Sequence, residues 1–189
     1  MPRTKKQFEE LRSRKIALIE RTAMECFAVK GFHGTSISFI AKKAGISTGL
    51  TYNYFPGKDD LLTSIYLKGM KKIFDPVEQL KTIDEKGFRA FIDHVFAEME
   101  RNMKFWKLYF IVMSQPDIFA KYQKHIMKAI APLIVKMSGY FRKKGIPDPE
   151  TETRLLFSML DGICMNYLID SEHYPLNKVR KKILKQYGQ

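Results

Sequence analysis

The chain has 189 residues, 45% of them hydrophobic and 28% charged, which is enough to bury a core in one or two compact domains and excludes an intrinsically disordered chain. Its 33 lysines and arginines against 20 aspartates and glutamates leave a formal net charge of +13, which favours nucleic acid or an anionic membrane surface as partner, with a solvated basic surface as the plainer alternative. No run approaches the ~18 apolar residues of a spanning helix; Cys26 and Cys164 lie far apart, with no metal-type spacing and no signal peptide ahead of them, and fit buried thiols in a reduced cytoplasm.

The opening Pro2 to Lys6 is basic and unpatterned, and reads either as an arm for a minor groove or phosphate or as a disordered terminus. From Phe8 to Lys30 the apolar residues Ile16, Ile19, Ala23 and Phe27 form one stripe, a first helix closed by Gly31. Thr35 and Ser36 can cap a second, short helix, in which Ile37, Ile40 and Ala41 share a face until Ala44-Gly45. Gly45 can take positive φ, Ile46 can plug the space between two helices, and Ser47 can cap the next by accepting a backbone N–H. The third helix, Thr48 to Phe55, is cut short by Pro56-Gly57, and a short outward helix after such a turn suits a major groove. Gly49 lets the backbone come close to DNA, and Asn53 can bond a base edge or a phosphate.

These residues, in this order and spacing, resemble the TetR family of bacterial transcriptional regulators. The matching positions are Ile19, Ala23, Phe27, Gly31-Phe32, Thr35, Ile37, Ile40-Ala41, Ala44 to Ser47, Gly49, Tyr52, Tyr54-Phe55, Lys58 and Leu61-Leu62, roughly the first third of the chain. The resemblance implies phosphate contacts from Thr35 and Ser36 at a helix N-terminus, base-facing positions at Thr48, Gly49 and Leu50, and DNA-backbone contacts from Tyr52, Tyr54 and Lys58, with Ser47 and Asn53 in the same surface. Where Thr51 stands the family usually has an aliphatic residue, so Thr51 either touches a base or packs by its methyl group.

Beyond Pro56-Gly57 the chain reads as helical throughout. Lys58 to about Leu80 forms a helix that joins head to body, opened by Asp59-Asp60 and interrupted near Pro76; its position makes it the natural lever between them. Helices follow over about Asp84 to Asn102, Lys104 to Ser114, Asp117 to Lys144 with Pro132 inside, Glu150 to Ile169, and Leu176 to Tyr187. The Glu150 to Ile169 helix is apolar nearly all round, so one side faces its own core and another most simply faces a second subunit. By the resemblance the last two helices pair across a dimer axis, through Leu155, Met159, Gly162, Ile163, Val179 and Ile183. Phe96, Trp106, Tyr109, Phe110 and Met113, with Phe157 and Met165, either line an apolar cavity for a small molecule or are plain core. Asp161 is either a bundle residue or a polar group of that pocket, and His94 and His125 are the other candidate anchors.

The expected architecture is therefore all-α: a three-helix helix-turn-helix head over residues 1–55, then a larger ligand-binding and dimerisation body over 56–189 reached through helix 58–80. No phosphate loop, nucleophile elbow or HExxH motif is present, and His33, His94, His125 and His173 are scattered, so neither enzyme activity, metal nor cofactor is expected. The reading is a cytoplasmic homodimeric regulator on a palindromic operator in double-stranded DNA, a repressor as the family resemblance implies, released by a small apolar effector and with no membrane partner. The alternatives are an activator or ligand-requiring regulator of the same fold, or a helical small-molecule binder whose basic head reads no specific site.

Overall fold

The structure, a computed structural model, describes residues 4–78 and 80–188, the side chains of Glu78 and His125 excepted. The expected arm residues Pro2 and Arg3 and the candidate anchor His125 thus lie outside what is described. Among the described residues the chain is helical with no strand: α1 (Lys5–Lys30), α2 (Ile37–Ala44), α3 (Thr48–Tyr54), α4 (Lys58–Glu78), α5 (Glu85–Arg101), α6 (Met103–Ser114), α7 (Pro116–Lys143), α8 (Pro149–Ile169) and α9 (Leu176–Tyr187). It divides into two compact units inside α4, Met1–Lys68 and Gly69–Gln189.

In the first unit α1 begins earlier than the apolar stripe suggests. Thr4 caps it in a reciprocal box, its hydroxyl accepting from the Gln7 backbone at 3.3 Å while the Gln7 side chain accepts from the Thr4 N–H at 2.9 Å. Lys5 and Lys6 are therefore helical rather than part of an arm. Ile19, Ala23 and Phe27 are fully buried, with Ile40 and Ala41 of α2 and Leu61 of α4. Glu20 of α1 accepts from Ser64 at 2.6 Å and from Lys68 at 2.6 and 2.8 Å. These bonds tie the first half of α4 to α1, so the compact unit runs to Lys68 rather than closing at residue 55.

In the second unit α5 buries Phe88, Phe91, Ile92, Val95, Phe96 and Met99 along one stripe. Phe88 stacks on Tyr140 of α7, with ring centroids 4.8 Å apart and planes 8° from parallel, and meets Phe141 and Tyr187 at tilted angles. Burying a side chain of this size contributes about 2 to 3 kcal/mol. The Tyr140 hydroxyl donates to the Tyr187 carbonyl, and the Tyr187 hydroxyl to Glu152, which seats α9 against α7 and α8. A Cβ on Gly69 would come within 1.9 Å of the Phe105 ring, so glycine is what lets α4 and α6 pack this closely here. Pro116 and Pro149 open α7 and α8 at positions where a missing N–H costs nothing.

Candidate nucleic-acid interface and helical cavity

The turn between α2 and α3 forms as its residue types dictate. Ser36 caps α2 by accepting from the Phe39 N–H at 3.1 Å, Gly45 ends it at φ 67°, and Ser47 caps α3 by accepting from the Leu50 N–H at 3.2 Å. α3 has two sides. Gly49, Tyr52 and Asn53 face outward, Tyr52 being 50% exposed, while Thr51 and the flanking Phe55 are buried and Thr48, Leu50 and Tyr54 are half-buried. A Cβ added to Gly49 would meet no atom within 4 Å, so nothing inside this chain requires glycine there.

Three residues expected at the DNA surface turn inward instead. Thr35 is 1% exposed, and its hydroxyl donates to the Gly31 carbonyl at 2.8 Å, closing the bend between α1 and α2 rather than facing a phosphate. Thr51 is fully buried, and its hydroxyl donates to the Ser47 carbonyl at 3.2 Å, so the packing alternative holds and base contact does not. The Lys58 ammonium donates to the carbonyls of Phe32 at 2.9 Å and Thr35 at 3.1 Å and lies over the Phe32 ring. With its donors taken up by backbone, it is a tie between α4 and the α1–α2 bend. Ser36 stays exposed, beside Ser38 at 3.0 Å.

The second unit holds a partly open cavity of about 330 Å³. Trp106, Tyr109 and Met113 of α6 and Phe157 and Asp161 of α8 line it, as the sequence suggests. Phe96 is buried in the α5 core away from the wall, and Phe110 and Met165 also lie off it, Met165 being 39% exposed. The rest of the lining has no counterpart in the sequence reading: Met70, Ile73 and Phe74 of α4, Phe91, Val95 and Met99 of α5, Met127, Ile130 and Ile134 of α7, and Thr153, Arg154, Ser158 and Leu160 of α8. Each reads as ordinary core in its own helix, and the one usable signal was methionine recurring on α4, α5, α6 and α7. The Tyr109 hydroxyl donates to Asp161 Oδ1 at 3.2 Å. Burial pushes the Asp161 carboxyl above the usual carboxylate range, with that hydrogen bond offsetting part of the shift. His94 meets the Lys72 carbonyl at 2.9 Å and is not on the wall.

Of the expected dimer residues, Ile163 and Ile183 are buried within their own chain, at 9% and 5% exposure, because α8 and α9 turn these positions toward its core. Val179 and Met159 are half-buried. Leu155, 49% exposed, and Gly162 lie on an outward stripe of α8 that continues through Met165 to Ile169, which is 76% exposed. Among the described residues no helix is long and apolar enough to cross a membrane.

Residues 19–65 match the model of the bacterial regulatory proteins of the tetR family, the same stretch that holds the capped turn and α3. The chain is 24% identical over 162 residues to the HTH-type transcriptional regulator PksA of Bacillus subtilis, covering 82% of this chain and 79% of that protein. Its fold is similar to that of the fatty acid degradation regulator FadR from Bacillus halodurans, with a TM-score of 0.77 and 21% identity over 92% of this chain and 94% of that one. It is also similar to the transcriptional regulator FadR from Bacillus subtilis in complex with stearoyl-CoA, with a TM-score of 0.73 and 18% identity over 92% of this chain and 97% of that one. The head that α1 to α3 and the start of α4 build thus matches the tetR family of bacterial regulatory proteins, and the chain is similar over most of its length to an HTH-type transcriptional regulator.

Proposed function

We propose that the chain is a homodimeric repressor that binds a palindromic operator and leaves it when a small, largely apolar ligand fills the cavity of the second unit. The outward face of α3 carries this reading: Gly49, Tyr52 and Asn53 are exposed together on a short capped helix whose other side is buried. An unexplained glycine on that face suits close approach to a duplex. A helix this short reads few base pairs, so two heads on two half-sites add their binding energies. The stripe from Leu155 through Gly162 to Ile169 offers a second copy an apolar helix face, with Gly162 permitting close approach.

The cavity supports control by a ligand, and the stearoyl-CoA bound by the similar Bacillus subtilis regulator supports an apolar one. Met70, Ile73 and Phe74 place α4 on the cavity wall, and the same helix begins at Lys58 in the first unit. A ligand that binds one arrangement of α4 better shifts the population away from the DNA-binding arrangement, and DNA then weakens ligand binding by the same factor.

Selection of bound sequences from a random duplex pool, followed by affinity for the winner against salt, tests the reading. Two inverted half-sites and a salt slope of several phosphate contacts are expected. Salt-sensitive binding with no preferred sequence overturns it.

A further inference from the structure

We propose that the ligand of the helical cavity is a lipophilic ammonium ion, an apolar chain or ring bearing an amine or quaternary nitrogen whose charge is met by the Asp161 carboxylate on the wall that Trp106 and Tyr109 share with it. The inference rests on the cavity being an effector site and names the chemistry of that effector.

Among the described residues the wall carries two side chains with full charges, both from α8. Arg154 is exposed, so water screens its guanidinium; Asp161 is half-buried. Its Oδ1 accepts from Tyr109, and among the described residues no lysine, arginine or histidine lies at ion-pair distance from it. A carboxylate held by one hydroxyl among apolar walls is short of both counter-charge and donors. Its raised pKa is the expression of that shortage.

The neighbouring rings complete the case. Trp106 and Tyr109 stand edge to face, with centroids 5.5 Å apart and planes at 75°, and both line the cavity. The indole N–H donates to the Glu98 carbonyl at 3.1 Å, which fixes the ring. Anchored aromatic faces beside a carboxylate attract a cation with an apolar body, quaternary nitrogen included, and a desolvated cation–π contact strengthens the hold. A fatty acid would instead set a like charge near Asp161, and a neutral chain would leave its carboxylate unpaired.

The chain supplies its own probe, because its single tryptophan is Trp106 on the cavity wall. Decyltrimethylammonium, decanoate and decan-1-ol, each below its micellar concentration, are titrated while Trp106 emission is followed and calorimetry gives the affinities. The ammonium is expected to bind about tenfold more tightly than the alcohol, as a charge-assisted contact provides, and to lose that advantage in Asp161→Asn. Decan-1-ol binding by that variant shows that its cavity is folded; if the variant does not bind it, Asp161→Ser takes its place. Decanoate binding more tightly than the ammonium, or an ammonium advantage that survives loss of the carboxylate, overturns the proposal while leaving the cavity an effector site. Absence of binding by all three chains overturns the effector reading itself, and the ammonium with it.

Discussion

The Lys58 ammonium donates to the Phe32 carbonyl at 2.9 Å and stands 4.5 Å from the centroid of the same residue's ring. With the Thr35 carbonyl at 3.1 Å, the first residue of α4 thus closes the bend between α1 and α2 from the inside.

Lys58→Met keeps the aliphatic stem over Phe32 and removes the charge. It is expected to destabilise the protein by about 1 to 3 kcal/mol, the scale of hydrogen bonds to a charged group, measured as a lowered midpoint in urea. The salt slope of DNA binding should be unchanged. A slope reduced by about one unit would mean that Lys58 contacts phosphate after all.

Gly49→Ala separates folding from recognition. Open space surrounds the added Cβ, and alanine is favoured over glycine inside a helix by about 1 kcal/mol, so stability should rise slightly. Operator affinity should fall by about tenfold or more, since a methyl group on the outward face holds the helix off the base edges, where a good contact is worth about 1 to 3 kcal/mol. Equal affinity for operator, measured by fluorescence anisotropy, would count against α3 as the reading helix.

Thr51 and Asn53 are neighbours with opposite expectations. Thr51→Val replaces a hydroxyl whose bond is to the Ser47 carbonyl within its own helix, so sequence preference should stay the same and stability should change by about 1 kcal/mol or less. Asn53→Ala removes an exposed amide from the outward face and should relax the preferred sequence at one position per half-site. Repeating the duplex selection with each variant distinguishes them.

Asp161 predicts a pH dependence of stability. Because burial raises its pKa in the folded chain, the folded state binds this proton more tightly than the unfolded state, and the ionised carboxylate costs stability above the folded pKa. That cost disappears as pH falls through the folded pKa toward the ordinary carboxylate value. Among the described residues, the side chains lining the cavity from α4, α5 and α7 carry no charge; Tyr109 from α6, and Arg154 and the neighbouring Cys164 on α8, are the ionisable groups beside Asp161. The Cys164 thiol is pushed up to about 12 by burial and so stays neutral. Asp161→Asn should therefore raise Tm near neutral pH, by a margin that shrinks as pH falls to about 4. A margin independent of pH would show that the carboxyl is not held above its usual range.

The sequence by itself determined the head and the helical body. Ser36, Gly45 and Ser47 act on backbone groups within a few residues of themselves, so their spacing alone places α2, the turn and α3. The proline starts of α7 and α8 are local in the same way, and the expected helices recur within a few residues of their ends. Tertiary structure decided which side of each residue is used. Thr35, Thr51 and Lys58 have the chemistry of DNA contacts; Thr35 and Thr51 bond carbonyls one helical turn back and it is packing that buries them, while Lys58 reaches carbonyls of the distant α1–α2 bend. The same holds for α8, where a nearly continuous apolar surface cannot say that Ile163 turns inward and Leu155 outward. The cavity needed the fold most of all. Its wall takes residues from five helices, and no local rule joins Met70 to Asp161; the close packing of helices does.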